Sequence, residues 1–332
     1  MTSSDGIGPD LVAGYLDRLD RVDQAGAVRL ATGLLDQGYA PADVLVDLVA
    51  VAQREIGRRW LTGAWSVARE HAATHVSEVV VGAVAGRITT PPRRGHVVVA
   101  CVEGEWHALA ARIVAEVVRD AGWRVTFLGA SVPGRHLVTY LHQTGPDAVL
   151  LSCVQSNRLI RAARMVEACR AAGVPVLAGG PGFGWDGRWA AAVGAAAWGA
   201  TARDAVRLLA RGLPGAAHTG PTPAPPDDGY VAVLHRRREI VQVALRELDP
   251  PEETAEDVAA GVGHLVDALA AAIRVDDRQL LLDFVGWQAE ALASRGGRRP
   301  VDAMLAAAER TLIEHPRAVE DLRAARAALT TD

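Results

Sequence analysis

The feature that most constrains the fold is a regular alternation of short apolar runs with amphipathic segments between residues 95 and 211. The apolar runs are HVVVACV, RVTFLGA, DAVLLSCV, VPVLAGG and a weaker GAAAWGA. Such runs are continuous because helices cover both faces of a parallel sheet. The region therefore predicts a doubly wound α/β domain with a parallel sheet.

The sequence on either side of this region predicts helices. From residue 9 to residue 88, apolar positions recur at helical spacing in four segments, which predicts a four-helix bundle. Residues 212–229 are rich in Pro and Gly and cannot sustain a helix, which indicates a linker. Residues 230–332 are again helical by pattern. We therefore expect three domains, at 9–88, 95–211 and 230–332.

Composition excludes several classes of protein. The chain has 332 residues and a formal charge of −4, which gives no basis for non-specific binding of nucleic acid or of an anionic membrane. Three isolated cysteines, Cys101, Cys153 and Cys169, form neither a disulfide framework nor an iron-sulfur site. The N-terminus lacks a signal-peptide pattern, and we expect no stretch to reach the roughly 18 apolar residues of a spanning helix. These observations favour a cytoplasmic protein.

An unusual tripeptide follows the first predicted strand. Glu105, Trp106 and His107 lie on the loop over the carboxyl edge of the sheet, where a phosphate-binding turn would be rich in glycine. A neutral imidazole is a good metal ligand, and Glu105 can accept its second N–H and fix the tautomer. One histidine cannot hold a metal alone, so the metal would have to arrive already coordinated inside a macrocycle.

Two further segments complete a pattern that resembles the cobalamin-binding Rossmann domain. That family carries DxHxxG, SxL and GG after successive strands. The corresponding segments here are EWHALA at 105–110, Ser152-Cys153-Val154 and Gly179-Gly180.

This resemblance implies that His107 is the lower axial cobalt ligand. The displaced dimethylbenzimidazole would thread into the core past Ser152 and the glycines. Glu105 in place of Asp keeps the carboxylate, whereas Ala110 replaces the glycine beside the nucleotide tail. The alternative is a structural loop histidine beside a packing pair of glycines.

The helical bundle carries a second signature. Trp60 is followed after nine residues by Glu70 and His71, which resembles the helical cap of light-sensing adenosylcobalamin proteins of the CarH type. The resemblance implies that Trp60 packs over the upper axial position and that Glu70 and His71 line the 5'-deoxyadenosyl group. Methyl-carrier corrinoid proteins have a similar bundle without this signature, so it favours adenosylcobalamin. In the alternative, Trp60 and Trp65 are core residues and Glu70 is a solvated charge.

The chain also departs from that family. Its transcriptional members begin with a DNA-binding helix-turn-helix domain, while this sequence starts at the bundle, so we expect no direct binding of DNA. Some light-sensing members place a histidine after the tryptophan to capture cobalt after photolysis, where this chain has Leu61. His75, one turn beyond His71, would substitute only if the helix faced differently.

The C-terminal helices resemble in outline the globin-like bilin domain of photocobilins, which carry cobalamin and biliverdin together. The resemblance implies a bilin site among aromatic and histidine side chains that we expect to be buried: His235, His264, Phe284 and Trp287. Three consecutive arginines would pair with the propionates or form a solvated helix face: Arg236, Arg237 and Arg238. No cysteine follows Cys169, so a bilin would be held noncovalently. The alternative is a helical dimerisation or partner-docking module.

These features predict a cobalamin-dependent photoreceptor rather than an enzyme, with no catalytic residue. Light absorbed by the corrin or a neighbouring bilin would break the Co–C bond, and the loss of adenosyl contacts would bias a two-state arrangement of cap and C-terminal domain. The alternative is a corrinoid methyl carrier that serves separate methyltransferases. The sequence allows a homo-oligomer and does not identify the downstream effector.

Overall fold

The structure, a computed structural model, describes residues 6–214, 228–293 and 299–331. Residues 215–227, which make up most of the predicted linker, lie outside the described residues. The described chain consists of an N-terminal helical bundle, a five-stranded α/β domain and a C-terminal set of helices.

The predicted N-terminal bundle is confirmed. Its helices are α1 (Pro9–Asp20), α2 (Gln24–Asp36), α3 (Pro41–Asp43), a π-helical stretch (Val44–Val49), α4 (Ala50–Leu61) and α5 (Val67–Ala85). The segment from α3 to α4 is continuous and forms the third helix of the bundle. Side-chain oxygens of Asp23 and Ser66 accept backbone N–H groups at the starts of α2 and α5, which satisfies donors that the helices leave unpaired.

The predicted parallel sheet is also confirmed. Its strands are β1 (His96–Cys101), β2 (Arg124–Gly129), β3 (Ala148–Ser152), β4 (Val176–Gly179) and β5 (Ala197–Gly199). They pair in parallel in the order β2-β1-β3-β4-β5. The order reverses between β1 and β3, so the loops after these two strands diverge and leave a crevice at the carboxyl edge, where open α/β sheets bind ligands.

Helices cover both faces of this sheet. They are α6 (Ala108–Asp120), α7 (Gly134–Thr144), α8 (Leu159–Ala171), α9 (Arg188–Ala192) and α10 (Ala202–Arg211). A 3-10 turn (Ser156–Arg158) precedes α8. Helices α6 and α10 pack against one face of β1, and α7 and α8 cover the other. The N-terminal bundle packs on the outer side of α6 and α10, and Arg203 of α10 pairs with Asp43 and Asp47 of the bundle at 2.7 and 2.6 Å.

The C-terminal domain is helical throughout its described residues. Its helices are α11 (Gly229–Leu248), α12 (Glu252–Val275), α13 (Gln279–Ala293), α14 (Arg299–Thr311) and α15 (Pro316–Thr331). Their buried side chains form one continuous core with those of α7 and α8. The Trp189 indole N–H donates to Asp277 at 2.8 Å across this junction. The likeness of these helices to a globin stays a prediction from the sequence.

Helix α12 corrects one expectation from composition. By length and apolar content it reaches what a membrane-spanning helix needs, although we expected no such stretch. Its apolar residues are largely Ala, Val and Leu interrupted by few charges, and 61% of the apolar window is buried inside the protein. In this structure the helix is therefore the central core helix of the C-terminal domain.

Candidate functional site at the carboxyl edge of the sheet

The loop between β1 and α6 holds a fully buried carboxylate. Glu105 has a side-chain exposure of 0%. Its Oε1 accepts the backbone N–H of His107 at 3.0 Å and lies 2.5 Å from His107 Nδ1. Its Oε2 accepts the backbone N–H groups of Val154 at 2.9 Å and Gln155 at 3.2 Å. The carboxylate therefore joins the loops that follow β1 and β3.

Hydrogen bonding decides the charge of this pair. Burial would raise the pKa of Glu105, but the hydrogen bonds from His107 and Val154 outweigh it and bring the pKa to about 2. The hydrogen bond to Glu105 raises the pKa of His107, which burial opposes. An ionised carboxylate only accepts hydrogen bonds, so Nδ1 of His107 carries a proton, and Nε2 is the nitrogen that can bind a metal when it is deprotonated. The His107 side chain is 57% exposed.

The predicted Ser152, Val154, Gly179 and Gly180 lie at the same edge. Ser152 is paired with Cys101 of β1 and with Gly179 of β4. Val154 contributes its backbone N–H to Glu105, a role that the SxL pattern does not reveal. These residues and the histidine loop therefore form one continuous edge.

Two glycines allow the loops after β3 and β4 to approach closely. Gly180 has φ +94°, and a Cβ there would collide with the carbonyl oxygen of Cys153. A Cβ on Gly182 would lie 2.7 Å from Cys153 Sγ, and the Gly182 N–H donates to the Cys153 carbonyl at 3.0 Å. Sequence reasoning missed Gly182, although the third glycine of LAGGPGFG was its signal.

Two tryptophan side chains are solvent-exposed on loops that follow strands of the sheet. Trp106 is 71% exposed beside His107, and Trp185, after β4, is 83% exposed. Single exposed aromatic rings are common on protein surfaces, so the position of Trp106 beside His107 carries more weight than its exposure. Trp185 was not predicted, and its only signal in the sequence is its place five residues after Gly180. Ala110, in place of the family glycine, is also exposed.

The cap residues face the histidine loop. Glu70 Oε2 lies 2.6 Å from His71 Nδ1, and Glu70 Oε1 accepts the Thr74 hydroxyl at 2.8 Å. The negative charge of Glu70 contributes to raising the pKa of His107, so the two side chains lie on the same side of the molecule. His75 is exposed and pairs with Glu78 at 3.7 Å.

The two cap tryptophans differ in their surroundings. Trp65 is buried at 6% exposure, and the guanidinium groups of Arg59 and Arg69 lie 5.2 and 5.0 Å from its ring. Trp65 is therefore a core residue. Trp60 is half-buried at the end of α4, and its ring lies 6.1 Å from the ring of Trp287 in the C-terminal domain. The cap thus contacts the C-terminal domain through two indoles.

The predicted bilin residues divide between this junction and the surface. Phe284 is buried, His264 and Trp287 are half-buried, and the Phe284 and Trp287 rings lie 5.8 Å apart. The prediction that His235 is buried was wrong, since it is exposed. Helix α11 buries Val233, Ile240 and Ala244, and the helical period places residue 235 on the opposite face.

The arginine run of α11 lies beside protein carboxylates. Arg236 pairs with Glu239 at 2.7 Å, and Arg237 pairs with Asp267 of α12 at 2.9 Å. Arg238 is exposed. In this structure Arg236 and Arg237 therefore stabilise helix surfaces.

The site fits a metal that arrives in a macrocycle. Among the residues that the structure describes, no three His, Cys, Asp or Glu side chains are grouped to hold a metal ion. The site offers one oriented imidazole, an exposed indole beside it, and glycines at the edge of the sheet. These features suit a large planar cofactor whose metal still needs one ligand.

Comparison with known proteins agrees with this geometry. Residues 95–207 match a family described as B12 binding domain, and residues 11–84 match a second family of the same description. The chain carries a cobalamin-binding module. The module consists of the N-terminal bundle and the α/β domain, and each of the two families matches one of its parts.

Relatives of the module fall into two groups. Trimethylamine corrinoid protein 2 of Methanosarcina mazei is 24% identical over 212 residues, which are 61% of this chain and 96% of that protein. The HTH-type transcriptional repressor CarA of Myxococcus xanthus is 34% identical over 131 residues, 39% of this chain and 44% of the repressor. The Methanosarcina barkeri monomethylamine corrinoid protein shares the fold, with a TM-score of 0.54, 16% identity and coverage of 61% of this chain and 98% of that one.

Proposed function

We propose that this protein is an adenosylcobalamin-dependent light sensor whose C-terminal domain reports the state of the cap and binds a bilin. The contact between Trp60 and Trp287 carries the proposal. By the resemblance to light-sensing proteins of the CarH type, Trp60 would lie over the upper axial position. A change in the group beneath Trp60 would therefore act directly on α13.

The chain's own residues would hold the cofactor from both sides. His107 would be the lower axial ligand, oriented by Glu105, with Trp106 beside it. Ser152, Val154, Gly179 and Gly180 would line the path of the nucleotide tail. Glu70 and His71 would hydrogen-bond the adenosyl group from the cap. Bound adenosylcobalamin supplies a Co–C bond that light breaks.

The bilin would lie at the junction of α12 and α13 with the module and would be held without a covalent bond. His264, Phe284 and Trp287 are the predicted side chains that the structure brings to this region. The three cysteines, Cys101, Cys153 and Cys169, are all buried, and burial raises their pKa values. Such thiols are poor nucleophiles toward a vinyl group.

The output would pass to a protein partner or to a second copy of the chain. The formal charge of −4 offers no attraction to DNA. The reduced state of the buried cysteines is compatible with a cytoplasmic location.

An absorption spectrum tests the proposal. The protein is purified with adenosylcobalamin and biliverdin both supplied, and spectra are recorded before and after illumination. We expect a histidine-bound corrin spectrum that changes on illumination, together with a red absorption band that acid denaturation releases. A corrin spectrum that light leaves unchanged contradicts the sensor function, and a preparation without the red band contradicts bilin binding.

A corrinoid methyl carrier is the second candidate. It is favoured because the trimethylamine corrinoid protein of Methanosarcina mazei matches over 96% of its length. The two functions differ in cofactor selectivity. A sensor should prefer adenosylcobalamin to methylcobalamin, and Trp60→Ala or Glu70→Ala should remove that preference while corrin binding persists. Equal binding of both cofactors by the unmodified protein, without release on illumination, favours the carrier.

A further inference from the structure

Three buried polar atoms lack a hydrogen-bond partner where the α/β domain meets the C-terminal helices. They are Asn157 Oδ1, Arg158 Nε and Gln288 Oε1. Asn157 and Gln288 are 4% and 7% exposed. The 3-10 turn that carries Asn157 and Arg158 packs against both α12 and α13. Buried polar groups are nearly always paired, so this group of atoms points to a ligand.

Two guanidinium groups lie side by side at the same junction. The Nη1 atoms of Arg158 and Arg161 both contact Gly104, where any Cβ would collide with them. Arg158 lies 3.9 Å from Glu105, whose oxygens already accept bonds from His107, Val154 and Gln155. Within the described ranges Arg161 forms no ion pair. Two adjacent cations without a free carboxylate attract an anion.

The opposite wall of the junction is apolar and aromatic. Phe284 and Trp287 lie on α13, and His264 lies on α12. Burial lowers the pKa of His264, the charges of Arg158, Arg161 and Arg237 lower it further, and Asp267 opposes them. His264 is thus a neutral imidazole that can donate one hydrogen bond and accept another.

We propose that Arg158 and Arg161, rather than the arginine run of α11, bind the carboxylates of a linear tetrapyrrole. This inference rests on the bilin binding proposed above. Gln288 Nε2 donates to the Gly261 carbonyl at 3.2 Å, so Oε1 is left needing an N–H donor, as does Asn157 Oδ1. A linear tetrapyrrole supplies pyrrole N–H donors, a flat conjugated body for Trp287 and two propionates for the guanidinium forks.

The test compares biliverdin with its dimethyl ester, in which both carboxylates are blocked. The full-length protein, Arg161→Gln and Arg164→Gln are titrated with each compound and followed by absorbance. Arg164 is the matched control, since both arginines are exposed on α8 but it is Arg161 whose guanidinium lies beside Gly104. We expect the unmodified protein and Arg164→Gln to bind biliverdin about tenfold more tightly than the ester. Arg161→Gln should lose part of this preference, because only the guanidinium of Arg158 remains to pair with a carboxylate.

Three results would overturn the inference. If Arg161→Gln keeps the full preference for biliverdin while an Arg236→Gln, Arg237→Gln, Arg238→Gln triple variant loses it, the run of α11 holds the carboxylates. If Arg161→Gln instead weakens cobalamin and leaves cobinamide, which lacks the nucleotide phosphate, unchanged, the arginines serve the cobalamin tail. A protein that binds neither biliverdin nor its ester removes the bilin part of the proposed function together with this inference. Circular dichroism of each variant confirms that it is folded.

Discussion

The chemistry of His107 depends on a neighbour that cannot move. Glu105 is fixed by backbone N–H groups from two different loops, so the imidazole it orients has one tautomer and one direction. A ligand fixed before the metal arrives loses little freedom on binding, and groups that orient a metal ligand typically affect metal affinity about 10- to 100-fold. In the proposed site, Glu105 would therefore contribute to cobalamin affinity without contacting the metal.

Substitution at this pair should separate ligation from orientation. We expect His107→Ala to lose the histidine-bound corrin spectrum and Glu105→Ala to keep it while binding cobalamin about 10- to 100-fold more weakly. His136→Ala, which removes an exposed histidine of α7, serves as the control. Spectral titration with cobalamin measures both effects. An unchanged spectrum in His107→Ala contradicts the assignment of His107 as the ligand.

Gly180 and Gly173 allow two effects of an alanine substitution to be separated, namely the strain of a positive φ and a collision with a neighbouring loop. Both have positive φ, but a Cβ on Gly173 would meet nothing within 4 Å, whereas one on Gly180 would collide with the Cys153 carbonyl. We expect Gly173→Ala to lower the free energy of unfolding by about 1–2 kcal/mol. Gly180→Ala should lower it by roughly 1–3 kcal/mol more, because the neighbouring loop must also shift. Urea unfolding of the two variants measures the difference, and equal losses would mean that the loops adapt.

At the scale of elements, the strands and helices follow from local patterns, but their contacts do not. The apolar runs at 97–101 and 148–152 identify strands because both faces of a parallel sheet are covered. The contact of Trp60 with Trp287 has no local signal, since helical periodicity shows which face is buried and not which element covers it. The position of His107 at the carboxyl edge was predictable because its loop follows a strand, whereas its role as a ligand stays a prediction. The closeness of Arg158 and Arg161 to Gly104 was not predictable, because Gly104 lies more than 50 positions away in the chain.

The free energy of unfolding should depend on pH through His264 of α12, the helix that packs against the 3-10 turn. His264 has a lowered pKa in the folded protein, so below its ordinary value of 6.5 the unfolded chain binds a proton that the folded chain excludes. The stability of the folded state is therefore complete above that value and decreases as the pH falls through it. We expect His264→Gln to lose less stability than the unmodified protein between about pH 7.5 and about pH 5.5 in urea unfolding. Identical losses would contradict a neutral, half-buried His264.

At the scale of the molecule, the contact between Trp60 and Trp287 directly connects the cap with α13. We expect Trp287→Ala to increase hydrogen exchange of α4 near Trp60, since the aromatic pair alone contributes about 0.5–1.5 kcal/mol beyond its buried area. Trp185→Ala, which removes an indole that is 83% exposed, should leave exchange in α4 unchanged. Mass spectrometry of peptides from residues 50–61 measures the effect. Equal exchange in both variants would show that the cap is held independently of the C-terminal domain.

If His107 is the ligand proposed above, the Glu105 carboxylate would also determine when the chain becomes able to bind its cofactor. Its partners Val154 and Gln155 are 49 and 50 positions further along the chain and follow a strand that must first pair with β1. Contacts over such separations form late, because the intervening chain must be ordered before they can be made. During synthesis, a nascent chain that ends before β3 thus contains the cap and His107 but no oriented ligand. An incomplete chain would therefore bind a corrin weakly, and cofactor binding would follow the pairing of β3 with β1.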